Sequence, residues 1–166
     1  MNLSSADNSF IREIVEKYSD MVLRIAYQNL KNYSDAEDVV QDVFIRLMKE
    51  KEFENEQHMR SWLIRVTINR CKDLNKSLWY KKSEPFTGEI GVFTDEEKNV
   101  LEEVMKLSND YRNVIYLYYF EGYKISEIAK ILNKKDNTVS SQLTRARKKL
   151  KNSLLKGGYY HEGTSL

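Results

Sequence analysis

Residues 125–151 read ISEIAKILNKKDNTVSSQLTRARKKLK, and this stretch decides the fold of the second half of the chain. Apolar residues at helical spacing predict a two-turn helix, in which Ala129 stands where a second helix must cross closely. Asn133 tolerates the left-handed conformation that a tight turn requires, and Asp136 is expected to cap the next helix. The pattern predicts two helices joined by a tight turn. The inner face of the second helix consists of Val139, Leu143, Ala146 and Leu150.

The outward face of that second helix is polar at its start and basic further along. Short polar groups at a helix N-terminus reach base edges in the major groove, and arginines and lysines contact phosphates. We therefore predict that residues 123–151 bind double-stranded DNA and that the binding falls steeply with salt. The outward residues are Asn137, Thr138, Ser140, Ser141, Gln142, Thr144, Arg145 and Lys148.

Charge is segregated along the chain, although the formal net charge is only +2. Residues 35–57 carry eight acidic and three basic groups. Residues 58–82 carry seven basic groups and one acidic group, and residues 123–156 carry ten basic and two acidic groups. Two separate basic segments predict two separate contacts with a polyanion.

The first half of the chain also has helical periodicity. Apolar residues at three- and four-residue steps predict a long amphipathic helix that ends near Lys31. Ser34 and Glu37 form a capping box that is expected to open a second helix. A third helical region carries Trp62, which we interpret as a core residue, among several basic residues. The apolar residues of the second helix are Val39, Val40, Val43, Phe44, Leu47 and Met48.

Periodicity disappears in the middle of the chain, where Pro85 is the only proline, and this predicts a flexible linker. After it, Thr94 and Glu97 form a second capping box, Ser108 can cap the following helix, and Gly122 ends that helix. The expected fold is all-α, with two small helical domains. Their predicted ranges are residues 8–76 for the first domain, 77–93 for the linker, 94–156 for the second domain and 157–166 for a tail.

Composition excludes several classes of protein. No apolar run is long enough to span a membrane, and the N-terminus does not resemble a signal peptide, so we expect a cytoplasmic protein. The single cysteine, Cys71, cannot form an internal disulfide and is interpreted as a buried apolar group. Neither His58 nor His161 has a carboxylate three residues away, which argues against a metal enzyme. The sequence therefore predicts no catalytic residues, no metal and no cofactor.

The segment EIAKILNKKDNTVSSQLTRARKKLK resembles promoter-binding region four of bacterial sigma factors. DAEDVVQDVFIRLM resembles the polymerase-binding helix of region two, and RSWLIRVTINRCKDL resembles its melting and minus-ten-reading segment. The order of the two motifs, with a short linker between them, resembles the extracytoplasmic-function (ECF) group of the sigma-70 family. The resemblance implies a non-catalytic subunit that binds core RNA polymerase, directs it to promoters and helps to initiate transcription. It also implies an anti-sigma partner.

The resemblance assigns roles to individual positions. Core polymerase is expected to contact Asp38, Gln41, Asp42 and Phe44. Melted minus-ten DNA is expected to contact Arg60, Trp62, Arg65, Asn69, Arg70 and Lys72. Minus-thirty-five DNA is expected to contact Asn137, Thr138, Ser140, Ser141, Gln142, Arg145, Arg147 and Lys148. The sequence departs from the common family pattern at Lys134, Ser140 and Gln142, and we interpret Gln142 as a residue that could pair with adenine.

A conventional helix-turn-helix repressor or activator, with a helical sensing domain at its N-terminus, is the alternative to a sigma factor. Such a protein binds duplex DNA alone and usually as a dimer. A sigma factor instead binds promoter DNA tightly only with core polymerase, so the requirement for core enzyme distinguishes the two classes.

Overall fold

The computed structural model describes residues 8–50, 52–77 and 95–156 of the chain. Every regular element in these ranges is helical, and the chain divides into two compact units between Pro85 and Phe86. This confirms the predicted all-α fold with two helical units. The predicted linker beyond residue 77, the Thr94 cap and the tail lie outside the described residues, as does the side chain of Glu97.

Unit 1 contains three helices, which are α1 (Asn8–Leu30), α2 (Tyr33–Lys49) and α3 (Glu56–Ser77). Helix α1 packs against both of the others. The predicted end of α1 near Lys31 is confirmed, because Lys31 adopts a left-handed φ of 54° and cannot continue the helix.

The predicted capping box at the start of α2 is wrong, because Asn32 caps the helix and Ser34 lies inside its first turn. Asn32 has extended backbone angles, and its side-chain oxygen accepts a hydrogen bond from the backbone N–H of Asp35 at 2.9 Å. Its carbonyl oxygen accepts the next one, from Ala36. The left-handed Lys31 directly before it brings the short amide into this position, so Asn32 satisfies the exposed donors two residues earlier than predicted.

The core of unit 1 encloses the single cysteine. Cys71 is completely buried on α3, as predicted, and burial raises the pKa of its thiol to about 12. A protonated, inaccessible thiol does not react with disulfide reagents, so labelling of Cys71 reports the opening of unit 1. The largest side chains of this core are Ile25, Leu47, Met59, Leu63, Ile64 and Ile68.

Unit 2 contains α4 (Asp95–Val104), α5 (Asn109–Ile115), α6 (Ile125–Leu132) and α7 (Asp136–Lys156). Helix α5 continues into a π-helical turn over Tyr116–Phe120, which the sequence pattern did not predict. The predicted cap is confirmed, since the Ser108 hydroxyl oxygen accepts a hydrogen bond from the backbone N–H of Tyr111. The predicted stop is also confirmed, since Gly122 has a φ of 71°.

A buried arginine holds the connection between α4 and α5. Arg112 is only 3% exposed, and its guanidinium donates hydrogen bonds to the carbonyl oxygens of Met105, at 3.0 Å, and Leu107. It also donates to the side-chain oxygen of Asn109. Burial lowers the pKa of Arg112 to about 10, which leaves it charged at neutral pH. The carbonyl oxygens of Met105 and Leu107, just after α4, thus receive these hydrogen bonds from the single side chain of Arg112.

Candidate nucleic-acid and partner interfaces

The turn between α6 and α7 has the predicted geometry. Asn133 adopts φ 52° and ψ 51°, and the backbone N–H of Lys134 donates to the carbonyl oxygen of Ala129 at 2.9 Å. The predicted cap of α7 is wrong by one position, because Lys135 precedes the first turn and its carbonyl oxygen accepts from Val139. Asp136 is instead the first residue of α7, where its carboxylate interacts favourably with the helix dipole.

The packing of α7 leaves its outward face available. The predicted inner residues, Val139, Leu143, Ala146 and Leu150, are all buried, which confirms that face. On the outer side, Thr138, Ser141, Arg145 and Lys148 recur at steps of three, four and three residues and are all exposed. Asn137 and Ser140 are exposed beside this row. These six side chains form what we call the α7 face.

Gln142 lies at the edge of α7 and is half-buried. Its side-chain oxygen accepts a hydrogen bond from Lys134 Nζ at 3.3 Å, and the same Nζ lies 3.0 Å from the Asp110 carboxylate. Pairing with adenine would require that oxygen to accept from the base instead. In this structure the side-chain oxygen of Gln142 is engaged within unit 2, and its pairing with adenine stays a prediction.

Arg147 also points away from the α7 face. Its Nε donates a hydrogen bond to the Tyr119 hydroxyl oxygen at 2.6 Å, and its guanidinium carbon lies 5.2 Å from the centre of the Tyr118 ring. This cation–π contact fixes the side chain against the π-helical turn. In this structure the side chain of Arg147 bridges α7 and the π-helical turn, and its expected contact with DNA stays a prediction. The sequence did not predict the contact between Arg147 and this turn, because the spacing of the aromatic residues in Tyr116–Phe120 does not distinguish a π-helical turn from an α-helical one.

On α3, the structure brings together only part of the predicted minus-ten set. Arg65, Asn69 and Lys72 are exposed and recur at steps of four and three residues, so they share one face, which we call the α3 face. Trp62 lies one turn before them and is half-buried, with its ring edge-on to Phe53 at 5.5 Å. The tryptophan thus lies between the core and the surface.

Arg60 and Arg70 are separated from the α3 face. Each is five residues from Arg65, which corresponds to roughly 140° around an α-helix. Both are half-buried, and Nε of Arg70 lies 2.5 Å from a carboxylate oxygen of Asp42 on α2. The predicted polymerase-binding set and the predicted minus-ten set therefore meet at this ion pair.

An unpredicted apolar stripe follows the exposed side of α2. Ile45 and Met48 are 51% and 52% exposed, whereas Phe44 is only 7% exposed. Met48 is therefore not a core residue, whereas Phe44, which was expected to contact core polymerase, packs in the core of unit 1. Ile45 and Met48 continue a row of exposed side chains at steps of three, four and three residues, which we call the α2 stripe: Asp38, Gln41, Ile45 and Met48.

Each of the two units matches a family model of known proteins. The family model described as Sigma-70 region 2 matches residues 14–79, and the one described as Sigma-70, region 4 matches residues 97–150. The chain belongs to the sigma-70 family. Its function is therefore that of an RNA polymerase sigma factor in transcription initiation, and the helix-turn-helix of α6 and α7 is the DNA-binding element of region 4.

Relatives of this sigma factor place it in the ECF group. It is 27% identical over 173 residues to the ECF RNA polymerase sigma factor SigW of Bacillus subtilis, and the match covers 92% of each chain. It is 28% identical over 141 residues to RNA polymerase sigma factor SigV of the same organism, with 80% of this chain and 84% of that one covered. The similarity thus extends over nearly the whole length of both proteins.

Solved structures show the same fold. The sigma factor RpoE of Bartonella quintana, in complex with the anti-sigma factor NepR, matches with a TM-score of 0.68 and 21% identity, covering 87% of this chain and 96% of that one. CnrH, in complex with the cytosolic domain of CnrY, matches with a TM-score of 0.68 and 24% identity, covering 92% of each chain. In the part of the sigma factor that the structure describes, no helix has the length and apolar character of a membrane span.

Proposed function

We propose that this sigma factor uses three separate surfaces in initiation. The α2 stripe binds core polymerase, the α3 face holds the melted minus-ten strand, and the α7 face reads the minus-thirty-five element. The first two surfaces belong to a domain of residues 8–76 and the third to a domain of residues 94–156, with residues 77–93 as the linker. The chain itself supplies no catalytic group. The observation that carries this proposal is the exposed α2 stripe.

The α2 stripe has the spacing of a helix–helix contact. Steps of three and four residues keep side chains in register along one side of a helix, as in a coiled-coil seam. Ile45 and Met48 give the stripe apolar surface, and Asp38 gives it a negative end. Together Ile45 and Met48 place apolar surface on one exposed side of the helix, and contiguous surface of this kind marks interaction sites. The partner surface that fits it is a helix with apolar and basic side chains, which we assign to core polymerase.

The α3 face suits single-stranded DNA. Arg65 and Lys72 supply cations for the phosphates, and Asn69 lies between them with an amide that can hydrogen-bond a base edge. The half-exposed ring of Trp62, one turn earlier, offers a surface on which an unpaired base can stack. Capture of a melted strand requires cations that contact the backbone phosphates and a surface on which the bases stack.

The α7 face suits duplex DNA. Asn137, Thr138 and Ser140 lie in the first turns of the helix, where short polar groups reach base edges in the major groove. Arg145 and Lys148 follow, at positions where long cations reach phosphates or guanine. We leave Gln142 and Arg147 out of this surface because their polar atoms are engaged within unit 2.

We also propose an anti-sigma partner. A solved relative of the same fold is held by an anti-sigma factor, and the α2 stripe offers such a partner the surface that polymerase needs. A protein that covers Ile45 and Met48 would exclude polymerase by direct competition. Both partners and promoter DNA are cytoplasmic in this proposal.

Replacing Ile45 and Met48 together by alanine tests the α2 stripe. The double variant should bind core polymerase about 30-fold more weakly, because about 2 kcal/mol of apolar burial is lost when two half-exposed side chains are truncated. Titration of fluorescently labelled sigma factor with core enzyme measures this change.

Tyr33→Ala is the matched control for that variant. Tyr33 is also an exposed apolar residue of α2, 37% exposed, but it lies outside the α2 stripe. The control should bind core polymerase as the wild type does. Equal binding by the double variant and the wild type would contradict the proposed surface.

A further inference from the structure

Arg70 and Asp42 form an ion pair that joins α3 to α2. Nε of Arg70 lies 2.5 Å from a carboxylate oxygen of Asp42, and the two side chains are 31% and 37% exposed. The two residues are 28 positions apart in sequence. The pair therefore links the helix that carries the proposed minus-ten surface to the helix that carries the proposed polymerase surface.

The surroundings of Arg70 are unfavourable for DNA. Arg70, Asp42, Asp35 and Asp38 line a cleft of about 280 Å³, together with Val39 and Leu74. The lining carries three carboxylates and one guanidinium. A phosphate that approached Arg70 would come close to these carboxylates, which repel it. To join Arg65 on the α3 face, Arg70 would also have to leave Asp42.

The surroundings of Asp42 suggest what the pair does. Asp42 directly follows Gln41 of the α2 stripe and lies four residues after Asp38, so the two carboxylates are neighbours on one helix and repel each other. Arg70 neutralises one of them and holds it in a single orientation beside the α2 stripe. We infer that Arg70 is a positioning residue of the polymerase-binding surface, which acts through Asp42, and not a contact of minus-ten DNA. This inference rests on the proposed function.

A crossed comparison of Arg70→Met and Arg65→Met tests the inference in the full-length chain. Arg70→Met should weaken binding to core polymerase about fivefold, as expected for loss of a partly exposed ion pair. Once assembled with saturating core enzyme, it should capture a single-stranded minus-ten oligonucleotide as the wild type does. Arg65→Met should give the opposite pattern, with unchanged binding to core and weakened capture of the oligonucleotide.

Two further variants separate positioning from a merely structural role. Arg70→Lys keeps the charge and should retain wild-type affinity for core. In a double-mutant cycle, Arg70→Met should have no additional effect in an Asp42→Asn background, because the pair is already broken. Protection of the Cys71 thiol from labelling checks that unit 1 remains folded in each variant.

The possible results distinguish the inference from the proposed function. Weakened oligonucleotide capture by Arg70→Met with normal binding to core would overturn the inference, and so would the absence of any effect on either measurement. Failure of the wild-type chain to bind core polymerase would contradict the proposed function itself, and the inference with it.

Discussion

Replacing Arg112 by methionine is expected to lower the free energy of unfolding of unit 2 by about 4 kcal/mol, since two buried carbonyl groups lose their donor and each costs about 1–3 kcal/mol unpaired. The carbonyls are those of Met105 and Leu107, which both accept from the guanidinium. Methionine fills much of the volume but donates no hydrogen bond. Because small domains are only marginally stable, such a loss should unfold most of the helix-turn-helix at growth temperature.

Urea denaturation followed by far-UV circular dichroism measures this loss. The transition of unit 2 should shift to lower urea, whereas protection of the Cys71 thiol in unit 1 should not change. Lys135→Met is the control, because it removes an exposed cation of the same unit. If the Arg112 variant unfolds like the wild type, the buried arginine does not hold the α4–α5 connection.

Replacing Arg145 and Lys148 together by alanine should weaken binding of the assembled holoenzyme to minus-thirty-five duplex about 30-fold at moderate salt. The slope of log affinity against log salt should fall by about 1.8, because each lost phosphate contact contributes about 0.9. The salt slope is the more specific measurement, since unfolding of unit 2 would abolish binding and not reduce the slope by a defined amount.

The double variant Lys149→Ala and Lys156→Ala is the matched control for charge. It removes the same number of cations from the same helix, but Lys149 Nζ lies over the Tyr111 ring at 5.3 Å and Lys156 is the last residue of α7. This control should leave the slope unchanged. Equal slopes for the two double variants would show that the α7 face makes no localised contact with phosphate.

Local sequence signals predicted the helix-turn-helix correctly. The inner face of α7 follows from periodicity alone, and the left-handed turn follows from the tolerance of asparagine for that conformation. Both depend on residues close in sequence. Asn32 and Ser34 show the limit of such signals, because either residue can cap a helix and the choice depends on the backbone of Lys31.

Two features that the sequence did not predict arise from contacts between separate parts of the fold. Arg112 is an ordinary charged residue in sequence, and only the fold buries it beside the segment that joins α4 to α5. The pair of Arg70 and Asp42 joins two helices across 28 positions, which no local pattern indicates.

The exposed part of α2 was missed for a different reason. Its second half is so rich in apolar residues that periodicity does not decide which of them face the core. The sequence does contain a row of residues at steps of three, four and three that ends in Ile45 and Met48. Recognising it as exposed required the packing of α1 and α3, which defines the buried side of the helix.

Run-off transcription tests the central claim most directly. Purified core polymerase is incubated with genomic promoter fragments, with and without the full-length chain, and the transcripts are mapped. We expect transcripts that depend on the chain and start at a limited set of promoters, and we expect tight promoter binding only when core enzyme is present. The absence of any chain-dependent transcript, or tight promoter binding by the chain alone, would contradict its assignment as a sigma factor.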